Sequence, residues 1–158
     1  MEKKFIQDFR NIVRIFEREI FLQNTASCCN GISLTQCHTL LEIEKNKNLS
    51  VSELAQKMQL DKSTISRTVD SLVKLDYIDR AIPEENRRMA LLNLTPEGRQ
   101  LCESINFSND SYIKTILEDF SGSEQVEFLD LFRKLTHNML SARKTWEDDS
   151  GQAAKERG

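Results

Sequence analysis

The 158-residue chain contains no run long and apolar enough to span a membrane. Its start, MEKKFIQDFR, lacks the apolar core of a signal peptide, so a cytoplasmic location is expected and no membrane partner. There is no glycine-rich phosphate loop and no internal repeat. Proline is scarce, and its two occurrences, Pro83 and Pro96, fall where other signals place a turn and a helix start. An excess of positive charge is also missing. The formal charge is −3 and the sequence pI about 5.5, which argues against nonspecific nucleic-acid binding by a uniformly basic surface. Residues 57–99 depart slightly from that average, with eight Lys/Arg against seven Asp/Glu. The length suits a single domain with a core of its own.

What is present is concentrated in residues 50–94. Ser50 and Glu53 have the spacing of a capping box, in which side chain and backbone satisfy each other's donors at a helix start. Val51, Leu54, Ala55 and Met58 then recur at helical spacing. Asp61 is a good N-cap for a second helix with Ile65, Val69, Leu72 and Val73 on its apolar face. The opposite face carries Ser63, Ser66, Arg67, Asp70 and Lys74, with Thr64 on its flank. Two short strands follow, Tyr77–Ile82 and Met89–Leu94, with a charged tip from Pro83 to Arg88. Each piece alone has a plain reading. Apolar faces are core in any protein, Arg67 is placed to pair with Asp70 on its own helix, and tip arginines are commonly solvated. Their order is harder to dismiss: a capped helix, a short turn, a hydroxyl-rich helix and a basic hairpin suit insertion into a DNA major groove.

The segments STISRTVDSLVKLDYIDR (63–80) and EENRRMALLNLTPEGRQL (84–101) resemble the MarR family of bacterial transcriptional regulators, and the likeness extends over nearly the whole chain. The family commonly shows Asp-x-Arg at the wing tip and a Leu-Thr-x-x-Gly that opens the next helix. This chain has Asn86-Arg87-Arg88 and Leu94-Thr95-Pro96-Glu97-Gly98, so Asn86 stands where the family has an aspartate. The resemblance implies a mainly α fold with a small β-hairpin wing: a winged helix-turn-helix with long N- and C-terminal dimerisation helices. It implies a homodimer on a pseudo-palindromic double-stranded operator, repression as the commoner mode, and no enzymatic activity. Ser63, Thr64, Ser66 and Arg67 would face the major groove and Arg88 the minor groove, with Lys62, Lys74, Arg80 and Arg87 as phosphate contacts.

The flanks fit such a plan. Residues 4–24 form an amphipathic helix with Phe5, Phe9, Ile12, Phe16 and Ile20 in one register, a surface wide enough for more than one neighbour. Thr95-Pro96 starts a long helix, Ser121-Gly122-Ser123 breaks it, and a last helix carries Val126, Leu129, Phe132, Leu135 and Met139. One domain is expected over residues 1–146. Residues 33–94 would hold DNA, 4–24 and 95–146 would dimerise, and 147–158 would be a flexible tail.

A second cluster, Ser27 to His38, holds Cys28, Cys29, Cys37 and His38 within eleven residues. Ser33 and Gln36 form another capping-box spacing, which puts Cys37 and His38 in the first turns of a helix. In a cytosolic chain, clustered thiols point to metal binding or redox chemistry rather than structural disulfides. A metal or metalloid ion bound by Cys28, Cys29 and Cys37, with His38 or Cys102 as further ligands, is the one cofactor or effector the residues suggest. The spacing matches no common structural zinc motif. The alternative is that Cys37 is a small core residue and His38 a plain surface one. A regulator released by an aromatic or phenolic ligand is the competing expectation, with Phe16, Phe21, Leu40 and Tyr112 lining an apolar cleft. A cysteine-dependent enzyme is the remote third, because neighbours on a helix point about 100° apart and Cys37 and His38 cannot readily share a proton.

Overall fold

The structure, a computed structural model, describes residues 2–26, 31–82 and 90–155. It divides into two compact units, Met1–Ser111 and Tyr112–Gly158. In the first, α1 (Lys3–Ala26) is followed by α2 (Leu34–Lys45), β1 (Leu49–Ser50), α3 (Val51–Met58), α4 (Lys62–Lys74), β2 (Ile78–Ala81) and β3 (Leu91–Leu94). Helix α5 (Pro96–Ile116) crosses into the second unit, which holds α6 (Gly122–Lys155).

Local chemistry starts each helix of the reading head. Ser33 accepts from Gln36 N at 3.3 Å while Ser33 N donates to Gln36 Oε1 at 2.8 Å, and Ser50 and Glu53 repeat the arrangement at 3.3 and 2.8 Å. Gln59, in the left-handed region at φ 53°, ends α3, and Asp61 caps α4 two residues later. Helices α2, α3 and α4 then pack around Leu40, Leu54, Ile65, Val69 and Leu72, all fully buried. Two side-chain bonds add specificity: Gln36 Nε2 donates to Ser71 Oγ at 3.0 Å, joining α2 to α4, and Thr39 Oγ1 donates to Met58 Sδ at 3.4 Å.

The sheet has three antiparallel strands in the order β1-β3-β2, not the two expected. Leu49 pairs with Leu92 and Ser50 with Leu91, so the residues that lead into α3 also edge the wing. Two residues are too few to show a strand period, which is why β1 escaped the sequence. Strand β2 pairs with β3 from Ile78↔Leu94 to Ala81↔Leu91. The hairpin tip, residues 83–89, lies outside the described residues.

The Leu-Thr-x-x-Gly segment joins wing to α5 in a compact way. Thr95 Oγ1 donates to Asp76 O at 2.6 Å and accepts from Gly98 N at 2.9 Å, while Thr95 N donates to Tyr77 O at 3.2 Å. Gly98 packs so closely that a Cβ there would lie 2.0 Å from the Tyr77 carbonyl oxygen. The motif is thus a steric and hydrogen-bonding joint that anchors α5 against the turn after α4.

Two boundaries differ from expectation. Helix α5 ends at Ile116, before the Ser121-Gly122-Ser123 break where it was expected to stop, and the last helix, α6, opens at Gly122 within that break. Ser121 and Glu124 form a third reciprocal cap, with Ser121 N donating to Glu124 Oε2 at 2.8 Å and Glu124 N to Ser121 Oγ at 3.4 Å. Helix α6 also continues to Lys155, so residues 147–155 are helical where a tail was expected. No proline follows Trp146, and Glu, Gln, Ala and Lys in this stretch are good helix formers that carry the turn past Gly151.

Candidate nucleic-acid interface

The exposed face of α4 is built from its first turn outward. Asp61 accepts from Thr64 N at 2.9 Å, from Thr64 Oγ1 at 2.5 Å and from Ser63 Oγ. These bonds, the Ser63 hydroxyl first and then the Thr64 hydroxyl and amide, hold the Asp61 carboxyl far below its ordinary range. An ionised carboxylate only accepts, so both hydroxyls must donate to it and turn lone pairs outward. Arg67 folds back over the same turn, with Nε 3.2 Å from Ser63 O and Nη2 3.4 Å from Ser63 Oγ. Ser63 and Arg67 are exposed and Thr64 and Ser66 half-buried, while Lys62 and Lys74 stand exposed at the two ends of the helix. The face expected to meet DNA is therefore open, polar and ordered by its own cap.

Arg80 differs from expectation. Its Nη2 donates to Asp70 Oδ1 at 2.5 Å, so the strand's arginine is held by the helix rather than standing free. Asp70 thus does not pair with Arg67, although Arg67 is three residues away. Nothing local in the sequence marks this choice, because the partners are ten residues apart on different elements. The wing-tip arginines Arg87 and Arg88, with Asn86, fall outside the described residues.

The cysteine cluster is only partly in view. Cys28 and Cys29 lie outside the described residues. Cys37 is 2 % exposed and belongs to the hydrophobic core, whereas His38, the next residue, faces solvent. Cys102 is fully buried in the same core, where burial, followed by the nearby Glu44 carboxylate, pushes its thiol up to about 11. Neither thiol is in a disulfide. Among the described residues no three His, Cys, Asp or Glu side chains converge on a metal-sized site. Cys37, the fourth residue of α2, therefore points into the core among the described residues, where burial of a charged thiolate would be costly.

The expected apolar cleft also changes. Leu40 is fully buried and holds α2 to the core, so it lines no open pocket. Phe16 and Phe21 are exposed on α1, and Tyr112 is half-buried. The periodicity that nominated Leu40 does not distinguish a residue sealed in the core from one lining a cleft.

A sequence profile of the MarR family matches residues 30–89, a segment that holds α2, α3, α4 and β2 and ends before β3. The regulator PapX of Escherichia coli is 31% identical over 96 residues, an alignment that covers 61% of this chain and 58% of PapX. This chain therefore spans little more than half the length of that relative. Among solved structures, Streptococcus pneumoniae FabT in complex with DNA superposes with a TM-score of 0.75 at 19% identity, covering 87% of this chain and 98% of FabT. Staphylococcus aureus MarR in complex with salicylate and kanamycin gives 0.75 at 20% identity, covering 88% and 95%. At such identities the two structures speak for the fold alone. No described helix is long and apolar enough to cross a membrane. With its helix-turn-helix capped at Ser50 and Asp61 inside the segment that the MarR family profile matches, and with the fold of solved MarR-family structures, this chain is similar to the MarR family of winged helix-turn-helix proteins.

Proposed function

We propose that the chain is a DNA-binding transcriptional regulator, acting as a repressor, that grips a pseudo-palindromic operator as a homodimer. One observation carries the reading: α4 presents Ser63, Thr64, Ser66 and Arg67 on an ordered open face beside the wing strands, while its other face is sealed into the core. FabT, solved with DNA, has the same fold. Arg67 provides the forked donor for a guanine edge, a contact worth about 1–3 kcal/mol of discrimination. Arg88 reads groove width and potential more than bases. Dimerisation is supported by α1, whose Phe5, Phe9, Ile12 and Phe16 are exposed in a single protomer. Two copies supply the paired heads that half-sites about 34–36 Å apart require.

The releasing signal has two candidates. A small aromatic or phenolic ligand is favoured by the burial of Cys37 and Cys102, which removes two thiols from ready ligation, and by the salicylate complex of the Staphylococcus aureus relative. A metal, metalloid or oxidant sensed by the cysteines then rests on Cys28 and Cys29, with Cys37 recruited only if α2 shifts.

The reading is tested by selecting duplexes from a random library with the full-length protein and titrating them in gel shifts. Arg67→Ala is expected to relax base preference, and Arg88→Ala to weaken binding with preference kept. Unchanged affinity and preference in both variants overturns the winged-helix assignment. Adding salicylate, arsenite, zinc or peroxide to the native complex and to Cys28→Ser, Cys29→Ser and Cys37→Ser variants separates the signals. Release by salicylate alone supports the ligand reading, whereas metalloid or peroxide release that the serine variants abolish supports the thiols.

A further inference from the structure

Asp70 sits three residues after Arg67 and four before Lys74, within reach of either on the surface of α4. It takes neither. Its Oδ1 instead accepts from Arg80 Nη2 at 2.5 Å, across the gap between α4 and β2. Arg67, left without that carboxylate, turns to Ser63 and uses only Nε and one Nη2 hydrogen there. Its Nη1 hydrogens and the second Nη2 hydrogen remain for a base edge. The side chains of Arg80 and Asp70 are 37% and 49% exposed, so solvent screens their pair and it adds little to stability. Its effect lies in which arginine it commits.

We propose that Asp70 is a positioning residue that partitions the two arginines: it withholds Arg80 from the DNA phosphates and leaves Arg67 to read. The proposal rests on the DNA-binding reading above. A free cation beside the recognition helix would add a contact to every duplex regardless of sequence, because phosphates carry no sequence information. Holding it on a neighbouring carboxylate keeps affinity low on unrelated DNA and dependent on the bases where Arg67 reaches them. The same pair couples the recognition helix to β2, the first strand of the wing, so the two present one fixed spacing to the duplex.

Salt dependence reads this directly, since each phosphate neutralised adds about 0.9 to the slope of log affinity against log salt. The native protein, Asp70→Asn, Arg80→Gln and the double variant would be titrated against a library-selected duplex and an unrelated one of equal length. Arg80→Gln is expected to leave the native slope unchanged. Asp70→Asn is expected to steepen it by about 0.9 on both duplexes, and adding Arg80→Gln to restore the native value. Asp70→Ser repeats the comparison through a different side chain, and melting curves in the same buffers show that each variant is folded. A slope that falls by about 0.9 in Arg80→Gln alone means Arg80 already contacts phosphate and overturns the proposal, as does an unchanged slope in both Asp70 variants. If the native protein selects no duplex from the library, the DNA-binding reading itself fails, a result distinct from any pattern among the variants.

Discussion

Asp61 shows how a single side chain can both start an element and orient the groups that the element presents. Its carboxylate gathers the Thr64 amide and the hydroxyls of Ser63 and Thr64, which starts α4 and orients two of the groups assigned to DNA. Because the folded carboxyl is held below the ordinary aspartate value of 3.8, its contribution to stability is present above that pH and is lost as pH falls below it. Asparagine caps a helix about as well but cannot ionise. Asp61→Asn is therefore expected to leave neutral stability nearly unchanged and to flatten the acid limb of a melting-temperature profile below pH 3.8. An acid limb as steep as the native one would remove Asp61 as its cause. Gly98 argues by sterics instead. On an open helix, replacing glycine by alanine gains about 0.5–1 kcal/mol. Here the added Cβ would meet the Tyr77 carbonyl oxygen at 2.0 Å, so backbone must move. Gly98→Ala is expected to cost about 1–3 kcal/mol in a denaturant titration. A neutral or stabilising result would mean that the joint between the wing and α5 is loose.

Among the elements, caps and cross-links divide the labour. Ser33, Ser50, Asp61 and Ser121 set where α2, α3, α4 and α6 begin, and each uses only neighbours within three residues. How the helices sit on one another is decided by Gln36 with Ser71, Thr39 with Met58, and Asn106 Nδ2 donating to Glu44 Oε2 at 3.0 Å. Among the described residues no buried side-chain nitrogen or oxygen lacks a partner, so these polar links cost the core nothing in unmet hydrogen bonds. On helix α1, Phe5 stacks on Phe9 at 6.3 Å between ring centroids, and both rings remain exposed.

For the molecule as a whole, that exposure is the strongest sign of a second copy. Ile12 is 66% exposed in the single chain, and in the second unit Val126 is 64% exposed and Met139 61%. In a monomer, replacing an already solvated isoleucine with glutamate changes stability little. In a dimer that buries the residue, it places a charge in an apolar interface. Ile12→Glu is expected to shift the protein from dimer to monomer in sedimentation velocity and to weaken operator binding, with the reading head still folded by circular dichroism. An unchanged dimer would place the interface on another surface.

The sequence by itself determined the elements whose causes are local. Helix starts at Ser33, Ser50 and Asp61, the apolar faces of α3 and α4, the hairpin after Tyr77 and the start of α5 at Pro96 depend on neighbours within a few residues, and all were legible. The polar face of α4 followed from the same periodicity. Only the tertiary structure decided matters in which distant residues compete. It gave Asp70 to Arg80 rather than to Arg67, because β2 brings Arg80 back across ten residues of chain. It sealed Leu40 and Cys37 into the core and left His38 outside, since a 3.6-residue period fixes which residues share a face but not which face finds a partner. It added β1, two residues whose strand character exists only through pairing with Leu91 and Leu92.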